Sequence, residues 1–209
     1  MATYLVRAGV GNLKLIDNGR IEYSNLNRQI LYTSKSISSM KSVISAVELS
    51  KVANLETNIY PVMEKLTKDN VELLLENSDV IVDCLDNNKD RKILCKEAIE
   101  KNIPLVYGAV GGMIGYITTI YKSSACPWCV FESESDDDNS IIGPTCGIIG
   151  SMQALETIRI IIGKRPLQNR LLYWNGNMMN MREIELEKNK KCKICGKTIN
   201  KERGKIENG

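Results

Sequence analysis

The sequence predicts an α/β fold with a doubly wound, mostly parallel sheet that ends in antiparallel strands. Through the first half of the chain, segments with helical apolar spacing alternate with short apolar runs, which is typical of parallel strands joined by crossover helices. The run DVIVDCLDN is almost continuously apolar, as expected of a strand buried on both faces. Towards the C-terminus, GYITTIYK predicts an antiparallel strand, and RLLYWNGNMMNMREIELE predicts a hairpin that turns at Asn175-Gly176-Asn177.

The first elements are a helix, a strand and a second helix. ATYLVRAG predicts a helix that Gly9 ends, and NLKLID predicts a strand that ends in Asp17. SMKSVISAVELSKVAN predicts a helix that packs on the sheet, and TNIYPV predicts a short strand. The apolar face expected for that helix consists of Met40, Val43, Ile44 and Val47.

The later elements continue the alternation around the apolar run. TKDNVELLLENS predicts a helix with Thr67 as its N-cap. DRKILCKEAIEKN predicts an amphipathic helix, and IPLVYGAV predicts another buried strand. PTCGIIGSMQALETIRIIIG predicts a long helix that is too apolar all round for a simple surface helix.

The composition is that of an ordinary globular chain, with one chemical exclusion. Of 209 residues, 43% are apolar and 25% charged, and the net charge of +3 implies neither a nucleic-acid nor a membrane partner. Histidine is absent, which excludes mechanisms that need an imidazole base or ligand. No apolar run reaches membrane-spanning length, and we expect a cytoplasmic protein. We expect a single domain over residues 1–196 and a disordered tail over residues 197–209.

Four of the seven cysteines form two C-x2-C pairs, Cys126 with Cys129 and Cys192 with Cys195. Four thiolates are a ligand set that zinc favours in closed structural sites, and zinc there would tie the tail to the sheet. The alternative is a redox pair, because C-P-W-C looks like a disulfide oxidoreductase motif. Since a redox pair needs no second C-x2-C, the sequence favours structural zinc.

Charged residues follow the predicted strands, where doubly wound folds bind nucleotides. Asp17 ends the first strand, Asn25 and Arg28 lie in the loop SNLNRQ, Lys41 opens a helix, and Asp86 ends the buried strand. An acid can bind ribose hydroxyls, arginine and lysine can bind phosphates, and Asp86 is placed to hold a magnesium ion. The simpler alternatives are solvated loop charges for the two cations and helix caps for the acids. Together the residues favour a nucleoside triphosphate site.

These motifs resemble one known family. In order along the chain they are YLVRAGVGNLKLID, SNLNRQ, DCLDN and GPTCGIIGSMQALE, together with CPWC and CKIC. They are similar to the ThiF/MoeB/HesA family, bacterial relatives of ubiquitin-activating enzymes. The similarity runs from residue 2 to about residue 196 with compatible spacing, and it implies a Rossmann-like fold.

The resemblance implies ATP-dependent adenylation of the C-terminal glycine of a small ubiquitin-fold sulfur-carrier protein ending in Gly-Gly. The pathway would be thiamine, molybdopterin or related sulfur metabolism, and the products would include pyrophosphate. ATP, Mg2+ and Zn2+ would be the cofactors, with Arg28, Lys41 and Asp86 as catalytic residues and Asp86 on magnesium. The nucleotide would be bound by Asp17, Asn25, Arg28, Gln29, Lys41, Asp86 and Asn87. Family members are homodimers, and a dimer contact would absorb the surplus apolar surface of the helix over residues 147–162.

The other three cysteines are expected to be structural. Cys84 and Cys95 lie in an apolar strand and an apolar helix face, which places both in the core. Cys146 opens the long helix, where a helix N-terminus lowers the pKa of a thiol. A reactive thiol is therefore the alternative there to a small buried residue, which is favoured. Some relatives carry a cysteine in the loop after the first zinc pair, but VFESESDDDNSIIGPT contains none.

The family's first strand and its G-x-G-G phosphate loop have no counterpart in the sequence, which starts within the helix that follows them. That strand would lie between NLKLID and VIVDCLD, so two strand edges would be left unpaired. Three explanations stay open: an N-terminally truncated sequence with more residues encoded upstream, a strand donated by another polypeptide, or a degenerate relative. The first is favoured, because every charged site residue further along is intact.

Two other functions compete with adenylation. The first is a non-catalytic homologue that acts as a zinc-stabilised carrier-binding protein. The second is a nicotinamide-dependent oxidoreductase, which would use the same strand-end acid for ribose. The oxidoreductase is disfavoured, because it leaves Arg28, Lys41 and the four paired cysteines unexplained.

Overall fold

The computed structural model describes residues 1–130 and 141–196. The acidic segment at residues 132–138 and the tail predicted to be disordered, residues 197–209, lie outside the described residues. Within the described part, the chain folds as a mixed α/β protein with parallel and antiparallel strands, as the sequence predicts. Helix α1 ends where the sequence predicts, because Gly9 has φ +85°, a left-handed conformation that favours glycine.

The helices and strands alternate up to residue 111. The helices are α1 (Ala2–Arg7), α2 (Lys41–Ser50), α3 (Val71–Leu74), α4 (Asn88–Lys101) and α5 (Gly143–Ile161). The strands are β1 (Asn12–Ile16), β2 (Asn58–Val62), β3 (Ile81–Val82), β4 (Leu105–Gly111), β5 (Ile114–Ile120), β6 (Arg170–Asn175) and β7 (Asn180–Glu185). Short 3₁₀ helices occupy Tyr23–Asn25, Ser34–Ser36 and Pro127–Cys129.

The strands form two separate sheets. Strands β1 and β2 pair in parallel, while the larger sheet has the order β3-β4-β5-β6-β7, with β3 and β4 parallel and the other pairs antiparallel. The two sheets share a core, because Ile16 and Val62 of the small sheet pack against the cluster that contains Ile81 and Leu105. Among the described residues, β1 therefore has a strand neighbour only in β2, and β3 has one only in β4.

The unpaired side of β3 explains two differences from the sequence prediction. Only Ile81 and Val82 form ladder pairs, with Leu105 and Val106, although the apolar run predicts a longer strand. Cys84 was expected in the core but is exposed. With a neighbouring strand on only one side, β3 lacks the second ladder of a strand inside a parallel sheet, although Ile81 and Asp83 in the same stretch are buried.

Helix α2 buries a different face from the one that its apolar residues predict. Val47 is 48% exposed. The buried residues are Ser42, Ser45, Ala46 and Leu49. The two serines can be buried because both are hydrogen-bonded: Ser42 Oγ donates to the Asp17 carbonyl oxygen, and Ser45 Oγ lies 2.8 Å from the Tyr32 hydroxyl. Small side chains let the helix approach the small sheet closely.

The predicted N-cap of α3 is also wrong. The helix begins after Asn70, which takes the N-cap position. The backbone N–H and the hydroxyl of Thr67 both donate to Asn70 Oδ1, at 2.8 and 3.0 Å. Asn70 thus ties the entering loop together, and the helix is shortened to four residues.

Helix α5 covers strands β4 and β5, and two glycines make the close approach possible. A Cβ at Gly115 would lie 2.4 Å from Ile149 Cγ1, and one at Gly108 would lie 2.4 Å from the Gln153 side chain. Gln153 is buried and donates from Nε2 to the Asp83 carbonyl oxygen at 2.7 Å. None of the described helices combines the length and the apolar character needed to cross a lipid bilayer.

We expect Gly108→Ala to lower the free energy of unfolding by about 1–3 kcal/mol, because the new methyl group overlaps Gln153. Gln153 cannot swing aside without losing its hydrogen bond to the Asp83 carbonyl oxygen. Urea unfolding measures the effect. Gly147→Ala is the matched control: its Cβ meets nothing within 4 Å, and alanine raises helix stability by up to about 1 kcal/mol. Equal effects of the two substitutions would contradict the packing argument.

Candidate nucleotide site and metal centre

Asp17 and Lys41, predicted separately from the sequence, lie together at the carboxyl end of β1. Asp17 Oδ1 accepts the Gly19 N–H at 2.7 Å, and the Lys41 N–H donates to the Gly19 carbonyl oxygen at 2.9 Å. A Cβ at Gly19 would lie 2.9 Å from Asp17 Oδ1 and 3.5 Å from Lys41 Nζ, so both charged groups flank this glycine. Lys41 is the first residue of α2, as predicted. An acid for hydroxyl groups and a cation for phosphate are thus adjacent.

The loop SNLNRQ supplies a second group. Asn25 is buried, and its Oδ1 accepts the Glu22 N–H at 3.0 Å, which occupies that oxygen in a capping box. Arg28 Nη1 donates to the Ser24 carbonyl oxygen at 2.9 Å and to Asn27 Oδ1 at 2.8 Å. Gln29 Oε1 is buried and has no hydrogen-bond partner in the described part of the chain. A buried acceptor without a donor is typical of a site that awaits a ligand or water.

The N-terminus of α5 packs directly against this loop. A Cβ at Gly143 would lie 2.4 Å from the Asn27 carbonyl oxygen, and Asn27 Nδ2 donates to the Ile141 carbonyl oxygen at 3.2 Å. Cys146 lies in the first turns of the helix, where burial raises the pKa of its thiol and the Arg28 guanidinium opposes that rise. A raised pKa favours the inert, structural interpretation of Cys146.

Asp86 follows β3 and is not the cap of α4. The N-cap is Asn87, whose Oδ1 accepts the Asp90 N–H at 2.8 Å. Asp86 is exposed, and its one described contact is a long 3.4 Å hydrogen bond from Asn87 Nδ2. The helix-cap alternative for Asp86 is therefore wrong, and its carboxylate stays available to a ligand. Asn87 was expected to bind the nucleotide, but its side-chain oxygen accepts the hydrogen bond that caps α4.

Sequence reasoning did not assign a role to Arg91, which forms a buried ion pair. Its Nη1 lies 3.4 Å from Asp83 Oδ2, and the two side chains are 10% and 0% exposed. Burial raises the pKa of the Asp83 carboxyl to about 6, against the opposing effects of Arg91 and the Leu85 N–H. The signal was present in the sequence: Arg91 stands at helical spacing on the apolar stripe of α4, before Leu94 and Cys95.

The structure gathers the predicted nucleotide residues into three local groups rather than one. The groups are Asp17 with Lys41, then Asn25 with Arg28 and Gln29, and finally Asp86 with Asn87. Within the described residues, no hydrogen bond or ion pair joins Asp86 to Arg28 or Lys41.

The four paired cysteines meet in one cluster, with three thiols buried and Cys129 half-buried. Their sulfur atoms all lie within 4.8 Å of one another, and the closest pairs are separated by 3.3, 3.7 and 4.0 Å. A tetrahedral zinc–thiolate site with bonds near 2.3 Å requires sulfur separations of about 3.8 Å. The donor set therefore fits a four-coordinate metal such as zinc. Four converging thiols also favour a metal over a redox pair.

The sequence model of the ThiF family matches residues 1–194. The chain belongs to the ThiF family. This confirms the ThiF/MoeB/HesA resemblance that the motifs carry.

Curated relatives in this family extend the comparison. Protein HesA of Nostoc sp. PCC 7120 is 32% identical over 200 residues, which cover 93% of this chain and 79% of HesA. The sulfur carrier protein ThiS adenylyltransferase of Escherichia coli K12 is 28% identical, with 93% and 80% covered. The adenylyltransferase and sulfurtransferase MOCS3 of Culex quinquefasciatus is 33% identical, but this chain spans only 46% of it. Two of the three are named adenylyltransferases, so the chain is an adenylyltransferase by family.

Solved structures show the same fold. E. coli MccB with ATP superposes with a TM-score of 0.78 at 18% identity, and the match covers 93% of this chain and 63% of MccB. MccB with MccA-N7isoASN gives a TM-score of 0.80 at 17% identity, with the same coverage. At such identity the likeness establishes the fold alone. The ThiF-family chain thus spans less than two thirds of MccB and about half of MOCS3.

The buried Asp83 predicts a pH-dependent stability. Because the pKa of its carboxyl is about 6 in the folded protein and about 4 in an unfolded chain, only the folded state binds this proton between those values. The contribution of Asp83 to the free energy of unfolding is therefore fully present below pH 4 and is lost as the pH rises through 6. Urea unfolding from pH 4 to 7 should show the wild-type protein losing stability relative to Asp83→Asn over that window.

Asp79→Asn is the control for this measurement, since Asp79 is an exposed acid before the other end of β3. A wild-type protein that gains stability relative to Asp83→Asn as the pH rises would contradict the assignment.

Proposed function

We propose that the protein uses ATP to adenylate the C-terminal glycine of a ubiquitin-fold sulfur-carrier protein ending in Gly-Gly. The observation that carries the proposal is that the side chains of Asp17 and Lys41 both lie beside Gly19, after the end of β1. An acid suited to ribose and a cation suited to phosphate stand there side by side. Arg28 beside the N-terminus of α5 adds a second cation.

The chemistry suits a chain without histidine. The carboxylate of the carrier's terminal glycine is ionised at neutral pH and attacks the α-phosphorus of ATP without a base. A new P–O bond forms, the bond to the oxygen bridging to the β-phosphate breaks, and pyrophosphate leaves with that electron pair. Arg28 and Lys41 hold the phosphates and offset the negative charge of the attacking carboxylate.

Asp86 is the residue we assign to magnesium. Its carboxylate is exposed and is not consumed by the helix cap, and hard oxygen ligands are those that magnesium prefers. When bound, the ion supplies charge neutralisation on the phosphates. Asp86 orients that charge from the end of β3.

Relatives support the choice of carrier. One is named for the sulfur carrier protein ThiS, and MOCS3 is named an adenylyltransferase and sulfurtransferase. Thiamine, molybdopterin or a related sulfur pathway is accordingly the proposed setting. The second candidate is a non-catalytic homologue that binds the carrier and is stabilised by zinc at the four paired cysteines.

We assign zinc to Cys126, Cys129, Cys192 and Cys195 as a structural metal, because all four thiols converge at distances that suit it. When bound, zinc supplies a cross-link between two segments that are 66 residues apart in the chain. The homodimer that the family resemblance implies stays a prediction. Leu155 and Ile161 of α5 and the adjoining Ile162 are more than half exposed, which suits such a contact.

We expect Arg28→Ala, Lys41→Ala and Asp86→Asn each to slow ATP–pyrophosphate exchange by about 100-fold or more, because each removes charge stabilisation of the phosphates. The assay uses candidate carriers ending in Gly-Gly, with both the present chain and a chain extended through its upstream reading frame. Lys35→Ala and Asp79→Asn are matched controls, since both remove an exposed charge outside the three groups.

If the three variants exchanged pyrophosphate at the wild-type rate, the adenylation proposal would be wrong. An extended chain that binds a carrier but exchanges no pyrophosphate would favour the non-catalytic candidate instead.

Cys126→Ser should lose zinc and lower the free energy of unfolding, because three thiolates hold the ion less well than four. Elemental analysis of the purified protein measures the zinc content, with one ion per four-cysteine site expected in the wild type. Cys84→Ser is the control, since Cys84 is exposed and outside the cluster, and it should keep its zinc. A metal-free wild type with a Cys126–Cys129 disulfide would restore the redox alternative.

A further inference from the structure

Arg91 is absent from the groups assigned above to nucleotide or metal, yet it holds the residue that precedes one of them. Arg91 Nη2 donates to the Leu85 carbonyl oxygen, while the Leu85 N–H donates to Asp83 Oδ1 at 2.9 Å. Since Arg91 also pairs with Asp83, both polar groups of the Leu85 backbone are held by one buried ion pair. The next residue along the chain is Asp86.

The guanidinium group is itself fixed from two further directions. Nη1 donates to the Gly108 carbonyl oxygen at 2.8 Å, and the Tyr107 ring centroid lies 5.0 Å from the Arg91 Cζ atom. The guanidinium group contacts Asp83, Leu85 and Gly108 at the same time because its N–H donors are spread over a planar group. The single ammonium group of a lysine cannot reproduce this geometry. A stacked ring adds a cation–π contact.

The support behind Tyr107 is the cysteine cluster. The Trp128 ring meets Tyr107 edge-to-face, with centroids 6.1 Å apart at 76°. Trp128 lies between Cys126 and Cys129, so its position is set by two of the four thiols. Cys95, one turn beyond Arg91 on α4, is buried in the same hydrophobic cluster as Cys126. The cluster therefore touches both the ring under Arg91 and the helix that carries Arg91.

We propose that Arg91 is a positioning residue that fixes Asp86 through the Leu85 peptide, and that the four-cysteine cluster braces Arg91 through Trp128 and Tyr107. The assignment rests on the proposed function, in which Asp86 holds magnesium. It links two sites that the sequence presents as independent. Loss of a contact that orients a metal-binding group typically lowers metal affinity or activity by about 10–100-fold.

The structural half of the proposal is tested by native-state hydrogen exchange at the Leu85 amide. Arg91→Lys and Trp128→Leu should each speed its exchange about tenfold or more, because the peptide is no longer held at both polar groups. Lys96→Ala, on the exposed face of α4, and Trp174→Leu, on β6, are controls that should leave it unchanged. Amides of β6 and β7 serve as the internal reference in every variant.

The kinetic half uses pyrophosphate exchange by the full protein over a range of magnesium concentrations. Arg91→Lys should lower kcat by about 10–100-fold and raise the magnesium concentration for half-maximal rate. Trp128→Leu should shift both in the same direction with its zinc content intact. Lys96→Ala should shift neither.

The outcomes separate the two claims. Unchanged Leu85 exchange in both variants, or equal acceleration in β6 and β7, would overturn the positioning role. So would a loss of rate that only tracks the loss of folded protein, with the magnesium dependence unaltered. If none of the tested carriers supports pyrophosphate exchange by the wild type, the proposed function fails. Hydrogen exchange at the Leu85 amide then tests the positioning role of Arg91 by itself.

Discussion

A buried ion pair that must be fully hydrogen-bonded organises the centre of this molecule. Removing the charges of Asp83 and Arg91 from water is costly, and the cost is offset only if their remaining polar atoms find partners. Those partners come from two different elements and a loop: the Gly108 carbonyl on β4, the Gln153 amide on α5, and the Leu85 peptide after β3. Satisfying one pair of charges therefore sets how α4, α5 and two strands meet.

The cysteine cluster performs a similar task at the end of the described chain. It brings residues 192–195 against the loop at residues 126–129, in the same buried cluster as Cys95 of α4. A metal bound by the four thiols would add its binding free energy to the stability of the folded chain, because the unfolded chain has no preformed site. Cys126, Cys192 and Cys195 also lie in the main hydrophobic cluster, so the cysteine cluster and the core are continuous.

Much of this architecture follows from local sequence. The apolar periodicity of the sequence predicts the alternation of strands and helices, the long helix and the C-terminal hairpin. The spacing of the four cysteines predicts their cluster. The pattern failed where tertiary context overrides it. Val47 is apolar yet exposed, because hydrogen-bonded serines suit the close approach of α2 better. Thr67 is a residue type that often caps helices, but its N–H donates to Asn70 Oδ1, and Asn70 takes the N-cap position of α3.

The nucleotide residues show the same division between local and long-range information. Asp17, Lys41 and Asp86 could be placed at strand and helix ends from sequence, because those ends are local features. That Asn87 rather than Asp86 caps α4 depends on which of the two adjacent side chains accepts the Asp90 N–H. The role of Arg91 depends on β4 and on the loop after β3, which are not neighbours in the chain, so no local pattern reveals its acceptors.

The division of the strands into two sheets bears on how cooperatively the protein unfolds. Strands β1 and β2 pair with each other and with none of the five strands of the larger sheet. What joins the two is side-chain packing, as at Ile16 and Val62, rather than a shared ladder. Side-chain contacts can loosen without breaking backbone hydrogen bonds, so the small sheet can open more readily than it could if one ladder ran through both sheets.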